Sequence, residues 1–191
     1  MLSLLRKNKL VIIFSFSFIL IGLVINDYIN DSSASPNLRK EEIKDFFAQG
    51  ETNYNIPNNK YVAILEIPKI NLLNGLVDKN SADNTIEKNI KTMGSSNMPD
   101  IKYGSLILLA HSGNSKIAYF NNLHKLKIND EIFIYYQNLK YIYRVFDIYD
   151  ILKNGELQLE NYPDKTILSM ITCRVNTNKQ IIILSELVGY E

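Results

Sequence analysis

The chain has one cysteine, Cys173, and two histidines, His111 and His124, among its 191 residues. A lone cysteine cannot form an internal disulfide, whereas secreted domains stabilised by disulfides carry an even number of cysteines. One cysteine and two histidines also do not make a metal-ligand set at short spacing. No GxxxxGK[ST] or GxGxxG pattern occurs, so phosphate binding of nucleotides is not indicated. We therefore expect no disulfide framework, no metal and no cofactor.

The chain also lacks an excess of either charge. It has 21 Lys and Arg against 20 Asp and Glu, a formal net charge of +1. Without a basic surface, little counterion release would accompany nucleic-acid binding, so we expect no nucleic-acid partner. The hydrophobic fraction of 46% is enough for a core, and the length fits one domain of ordinary size plus an appendage.

The N-terminus carries the longest uncharged apolar run. Residues 1–9 include three basic residues and no acid, and the 16 uncharged residues LVIIFSFSFILIGLVI follow at 10–25. This run lies between a signal-peptide core and a spanning helix in length. Small residues of the kind that mark a cleavage site come late, at 32–34. We favour an uncleaved single-pass anchor over residues 10–26, with a cytoplasmic tail at 1–9 and the remainder outside the cell membrane; the alternative is a cleaved signal peptide.

Residues 27–59 form a predicted linker that contains a short helix. The stretch LRKEEIKDFFAQG places Leu38, Ile43, Phe46 and Phe47 roughly on one face, and Gly50 stands where a helix would end. From residue 60 to 191 the pattern changes to short β-branched and aromatic runs. We predict about seven or eight strands, with turns at Asn74-Gly75, Asn129-Asp130 and Gln137-Asn138. This density of strands and turns predicts a β-barrel or a sandwich.

Two residues of complementary chemistry each end an apolar run and open a polar loop. His111 follows SLILLA, and Cys173 ends LSMIT. A free thiol, with a pKa near 8.5, is mostly protonated at neutral pH, and an adjacent imidazole can accept its proton and later protonate a leaving amine. This pair would perform acyl transfer. The alternative is that Cys173 is a small buried filler and His111 a loop residue bonded to nearby backbone.

Acyl transfer also needs hydrogen-bond donors for the oxygen that becomes negatively charged. The candidates are the backbone N–H groups after Cys173 and the side chains of Arg174, Lys179 and Gln180, among which the sequence does not choose. His124 lies in a polar stretch and is interpreted as a solvated residue.

Four segments, in this order, resemble the sortases, which are membrane-anchored cysteine transpeptidases of Gram-positive bacteria. They are ILEIPKINL at 64–72, GSLILLAHSGNS at 104–115, YFNNLHKLKINDEIFI at 119–134 and LSMITC at 168–173, the last similar to the family signature TLxTC. Histidine precedes cysteine by 62 residues, as in sortases, and the resemblance covers roughly 61–188.

The resemblance implies a mostly β fold, a closed eight-stranded sortase-type barrel with short helices, preceded by a transmembrane helix. It implies that Cys173 attacks an LPxTG-like sorting signal, that His111 acts as general acid and base, and that Thr172 shapes the substrate site. The partners would be sorting-signal-bearing surface proteins or pilins, an amine of the cell-wall peptidoglycan precursor and the lipid bilayer. A single N-terminal anchor, and no apolar tail at the C-terminus, look like class A or class D.

The chain departs from the family at one position. Sortases carry an arginine near the start of the strand after the cysteine loop, and KQIIILSEL puts Gln180 there. A glutamine amide donates hydrogen bonds without charge. Either Gln180 serves as a weaker donor, or Arg174 or Lys179 supplies the charge. A third alternative is a degenerate barrel that acts as a binding or assembly module without catalysis.

Overall fold

Short runs of alternating apolar residues form strands, and the strands of the described residues pair into one sheet. The computed structural model describes residues 43, 60–153 and 162–191. Within these residues eight strands are present: β1 (Ala63–Ile67), β2 (Leu72–Leu76), β3 (Lys91–Thr92), β4 (Ser105–Leu109), β5 (Glu131–Tyr136), β6 (Leu139–Leu152), β7 (Ile167–Cys173) and β8 (Lys179–Tyr190). Short 3-10 helices span Pro68–Ile70 and Leu123–Lys125. The prediction of a mostly β domain with short helices is confirmed.

The eight strands form one sheet in the order β2-β1-β5-β6-β8-β7-β4-β3. Neighbouring strands are antiparallel except for β4 and β7, which run parallel. The sheet curls into a nearly closed barrel but ends at β2 and β3, so the prediction of a fully closed barrel needs correction. A side-chain bond spans this opening, since Asn74 Nδ2 on β2 donates to Asn89 Oδ1, just before β3, at 2.8 Å.

The strands around β7 are buried on both faces. Alternate residues of a strand point to opposite faces, and here Leu168 and Met170 belong to the large interior cluster. Ile167 and Ile171 join a second cluster with Ile182 and Leu184 on the outer face. The outer cluster therefore forms an apolar strip beside the end of β7.

The turn predicted at Asn74-Gly75 is wrong. Both residues lie inside β2 and pair with β1, Asn74 opposite Leu65 and Gly75 opposite Ile64. The chain reverses earlier, after the 3-10 helix, at Asn71, whose φ is 53°. Glycine at position 75 leaves room for the ring of Tyr61, because a Cβ there would lie 2.4 Å from that ring.

The β5–β6 hairpin agrees with its prediction. Gln137 and Asn138 have φ values of 47° and 64°, and the residues on either side, Tyr136 and Leu139, pair with each other. A two-residue turn with both φ values positive matches the twist of the strands that it joins.

The predicted anchor at 10–26 and most of the linker helix lie outside the described residues. Of that helix, Ile43 is described: it is helical and packs against Ile64 and Tyr135. Among the described residues, no helix has the length and apolar character to cross a membrane.

Candidate active site

The parallel pairing of β4 with β7 brings the two predicted reactive residues to the same end of the sheet. The register runs from Ser105 opposite Ile167 to Leu109 opposite Ile171. Continuing it by two positions puts His111 beside Cys173. Adjacent strands lie about 4.8 Å apart, so residues 62 positions apart in sequence become neighbours.

Hydrogen bonds hold the segment that follows β4 against the end of β7. The N–H of Ala110 donates to the Ile171 carbonyl at 3.4 Å, and the buried hydroxyl of Thr172 donates to the Ala110 carbonyl at 2.7 Å. One residue further, the Ser112 hydroxyl donates to the Cys173 carbonyl. These three bonds lie on both sides of His111 along the chain and restrain its backbone.

A fourth hydrogen bond is made by the backbone carbonyl of His111 itself. The carbonyl of His111 accepts the N–H of Phe120 at 3.0 Å, and Phe120 is fully buried in the interior cluster. The loop that starts at His111 is therefore attached to the core within nine residues.

Cys173 lies on the outer face of the sheet. Along β7, Cys173 follows Ile171 by two positions, and across the β7–β8 pairing it stands opposite Gln180. Gln180 precedes Ile182, which belongs to the outer apolar strip. Cys173 is a free, half-buried cysteine, so it is not a filler sealed in the core.

A cleft of about 230 Å³ lies at the end of β7, and both Cys173 and its interior-facing neighbour Thr172 line it. Its walls combine interior residues with loop residues: Ser112, Phe120, Asn121, His124, Thr172, Cys173, Arg174, Val175 and Ile181. His124 is exposed, as interpreted from the sequence, and it lies beside the candidate site. Its Nδ1 lies 3.0 Å from the Asn121 carbonyl. His111 is not part of this lining.

The candidate donors Gln180 and Arg174 lie in different surroundings. Gln180 is opposite Cys173 in the β7–β8 register. The Arg174 Nε donates to Asp150 Oδ1 on β6 at 2.6 Å, and the two side chains are 34% and 29% exposed. Lys179, at the start of β8, is exposed and is not in the lining of the cleft.

Sequence reasoning missed Asp150, Ser112 and Asn121. Asp150 precedes Arg174 by 24 residues, and no local pattern connects the two. Asn121 reaches the site because its Oδ1 accepts the N–H of Gly113 at 3.1 Å. Within the described ranges, no group of three or more His, Cys, Asp or Glu side chains is arranged to hold a metal ion.

The match to a known domain decides the family. The model of the sortase domain matches residues 65–188, which include all the strands of the sheet except parts of β1 and β8.

The chain belongs to the sortase family. A search of curated proteins found no match, whereas solved structures of sortases share the fold. A Clostridium perfringens sortase D5 transpeptidase has a TM-score of 0.61 and 22% identity, covering 82% of this chain and 100% of that chain. A lid mutant of Corynebacterium diphtheriae sortase A has a TM-score of 0.60 and 23% identity, covering 67% of this chain and 70% of that one.

A third sortase structure broadens the range of classes. Streptococcus pneumoniae sortase C has a TM-score of 0.61 and 16% identity, covering 70% of this chain and 69% of that chain. Structures at these identities establish the sortase fold and do not separate the classes A, C and D. Membership of the family supports activity as a cysteine transpeptidase.

Proposed function

We propose that this sortase cleaves a sorting signal through Cys173 and transfers the released acyl group to an amine, with His111 as the general acid and base. The observation that supports the proposal is the parallel β4–β7 pairing, whose register ends two residues before His111 and Cys173. An imidazole and a thiol at the ends of adjacent strands are the pair that acyl transfer by cysteine requires.

In the first half of the reaction the Cys173 thiol passes its proton to His111, and the sulfur attacks the carbonyl carbon of the scissile peptide bond. The tetrahedral intermediate then expels the leaving amine, which takes a proton from the His111 imidazolium. In the second half an amine attacks the thioacyl carbon, and His111, now neutral, accepts the proton of that amine. The carbon–sulfur bond breaks, and His111 passes the proton to the sulfur, which regenerates the thiol and the neutral imidazole.

The half-buried rim of the outer apolar strip is a suitable surface for the acyl donor, whereas Ile171 and Ile182 within the strip are already buried. It continues the face of Cys173 and includes the half-buried Leu109 and Ile151 beside Ile171 and Ile182. An extended peptide with aliphatic residues before its scissile bond, such as an LPxTG-like signal, would bury those residues there. Gln180, opposite Cys173, would donate its amide N–H to a peptide carbonyl or to the oxyanion.

Membrane attachment and partners complete the proposal. An anchor at residues 10–26 with a cytoplasmic tail would hold the catalytic domain on the outer side of the cell membrane. The substrates would be surface proteins or pilins that bear the signal, and the acceptor an amine of the cell-wall precursor. We assign the chain to class A or D on its sequence pattern.

Incubation with sorting-signal peptides, followed by mass spectrometry, tests these roles. Cys173→Ala should abolish both peptide cleavage and the thioacyl adduct. His111→Ala should reduce cleavage by roughly a hundredfold or more, because it removes proton transfer. Lys116→Ala is a matched control, since this exposed lysine lies in the loop that follows His111. An unchanged rate in Cys173→Ala would disprove the nucleophile.

A second candidate function is a non-catalytic binding or assembly module, which the uncharged Gln180 opposite Cys173 favours. It would be supported by a wild type that forms no adduct but gains activity through Gln180→Arg. A hydrolytic peptidase is distinguished by its product, because transfer yields an amide and hydrolysis a free acid.

A further inference from the structure

Cys173 stands between two surfaces of different character. The outer apolar strip lies on one face of the β7 end, whereas the cleft at the barrel mouth contains Thr172 and Ile181, which point to the interior side, and the polar loop residues Asn121 and His124. A transferase that uses two substrates in turn needs two approaches to one sulfur. Because the half-buried Leu109 and Ile151 at the rim of the strip suit the aliphatic acyl donor, the polar cleft is available to the acceptor.

Among the described residues that line this cleft, Arg174 provides the only permanently charged side chain. Its backbone is held in the β7–β8 turn, because its N–H donates to the Lys179 carbonyl at 2.9 Å and its carbonyl accepts the Thr177 N–H at 3.3 Å. Its Nε is bound to Asp150 at 2.6 Å. Among the described residues its two Nη groups have no protein hydrogen-bond partner. Asp150 is thus a positioning residue that orients the guanidinium and leaves the terminal donors free.

The neighbouring polar groups complement this donor. Asn121 accepts the Gly113 N–H through Oδ1, which leaves its amide N–H groups as donors. None of the described lining residues is acidic, and the carboxylate of Asp150, outside the lining, is paired with the Arg174 Nε. The Nδ1 of His124 lies 3.0 Å from the Asn121 carbonyl. The terminal donors of Arg174 and the amide of Asn121 can therefore receive a carboxylate.

We propose that the cleft binds the carboxylate of the acceptor through Arg174, so that amines carrying a nearby free carboxylate are the preferred acceptors. Guanidinium groups bind carboxylates through paired N–H donors. The cleft volume of about 230 Å³ suits a group of amino-acid size. The inference rests on the proposed transpeptidase function and specifies its second substrate.

The chemistry of the transfer step is unchanged by this recognition. The acceptor nitrogen forms a bond to the thioacyl carbon while the carbon–sulfur bond breaks. The sulfur leaves as thiolate, and the proton lost by the nitrogen passes to His111 and then to the sulfur. Arg174 holds the acceptor carboxylate and exchanges no proton.

The test compares two acceptors on the same thioacyl enzyme: glycylglycine and its C-terminal amide, at equal concentrations of free amine. We expect the full-length wild-type protein to prefer the carboxylate form by roughly threefold to tenfold in kcat/KM for the amine, as for a charge-assisted bond in a partly exposed site. The preference should fall in 1 M salt. Equal use of the two acceptors by the wild type would overturn the proposal.

Variants of Arg174 test whether this side chain causes the preference for the carboxylate acceptor. Arg174→Gln should reduce the ratio between the two acceptors to about one, and Arg174→Lys should leave a smaller preference than the wild type has. Each ratio is measured within one variant, so a change in acylation cancels. Lys153→Gln is the matched control: it removes a positive charge beside the same turn, where its N–H donates to the Asn178 carbonyl, and should keep the wild-type ratio.

Failure of this inference differs from failure of the proposed function. An Arg174→Gln or Arg174→Lys protein that retains the full wild-type preference refutes the carboxylate site, although thioacyl formation and hydrolysis continue. Absence of any thioacyl adduct in the wild type refutes the transpeptidase function itself.

Discussion

Replacement of Thr172 by valine tests how the end of β7 holds the end of β4. Thr172 is 4% exposed, and its hydroxyl donates to the Ala110 carbonyl at 2.7 Å. This bond lies one residue before both His111 and Cys173. Valine keeps the shape of the side chain and removes the donor, so the Ala110 carbonyl loses its partner in a buried setting.

The magnitude follows from the burial of both partners. A typical internal hydrogen bond contributes about 0.5–1.5 kcal/mol, and an orphaned buried acceptor costs about 1–3 kcal/mol. We expect Thr172→Val to lower the free energy of unfolding by about 1–2 kcal/mol. For a domain of this size, that lowers Tm by roughly 3–8 °C.

Activity should fall more than stability alone explains. The lost bond frees the backbone of Ala110, and His111 is the next residue. Because a displacement of about 1 Å in a catalytic group can reduce the rate a hundredfold, we expect kcat/KM for peptide cleavage to drop about tenfold or more at temperatures where the variant is fully folded.

The assay combines thermal and urea denaturation with cleavage of a sorting-signal peptide. Thr172→Ser is the comparison, since serine retains the hydroxyl and loses only a methyl group, and it should keep most of the activity. If Thr172→Val matched the wild type in Tm and rate while Thr172→Ser was impaired, the methyl group and not the hydrogen bond would matter, and the reasoning would be wrong.

Further predictions concern the barrel. Tyr143→Phe should leave stability unchanged or raise it by up to about 1 kcal/mol in urea denaturation, because the buried Tyr143 hydroxyl has no partner among the described residues. Burial raises the pKa of Tyr143 above its ordinary 10.0, so the unfolded chain loses this proton first; stability should decline as pH rises above about 10, less steeply in the phenylalanine variant. Gly75→Ala should cost about 1–3 kcal/mol, since the new Cβ meets the Tyr61 ring at 2.4 Å, whereas Gly94→Ala, with no atom within 4 Å of its Cβ, should be tolerated; equal Tm values for the two alanine variants would contradict the steric argument.

The strand content was predictable because the alternation of apolar residues is a local property. The β5–β6 turn was equally local: Gln137-Asn138 accepts positive φ, and the structure has it there. The same kind of signal failed at Asn74-Gly75, which lies in β2. There the asparagine bonds to Asn89 across the barrel opening and the glycine makes room for Tyr61, and both reasons involve residues distant in sequence.

The candidate site divides in the same way. His111 and Cys173 were identified because each ends an apolar run and has the chemistry that the other needs. The side-chain partner of Arg174 could not be predicted from its neighbours in sequence, because Asp150 comes from β6. His124 was interpreted as solvated and is exposed, and only the structure shows that the 3-10 helix that contains it borders the cleft.

The amino-acid sequence by itself determined the β character of the residues described within 60–191, the family resemblance and the pair of candidate reactive residues, since each depends on residue type and short-range order along the chain. Only the tertiary structure decided that the barrel stays open between β2 and β3, that Gln180 faces Cys173 and that Asp150 orients Arg174. The physical reason is that hydrogen-bond register and side-chain pairing between strands depend on how the whole sheet curls, and no segment of the chain contains that information alone.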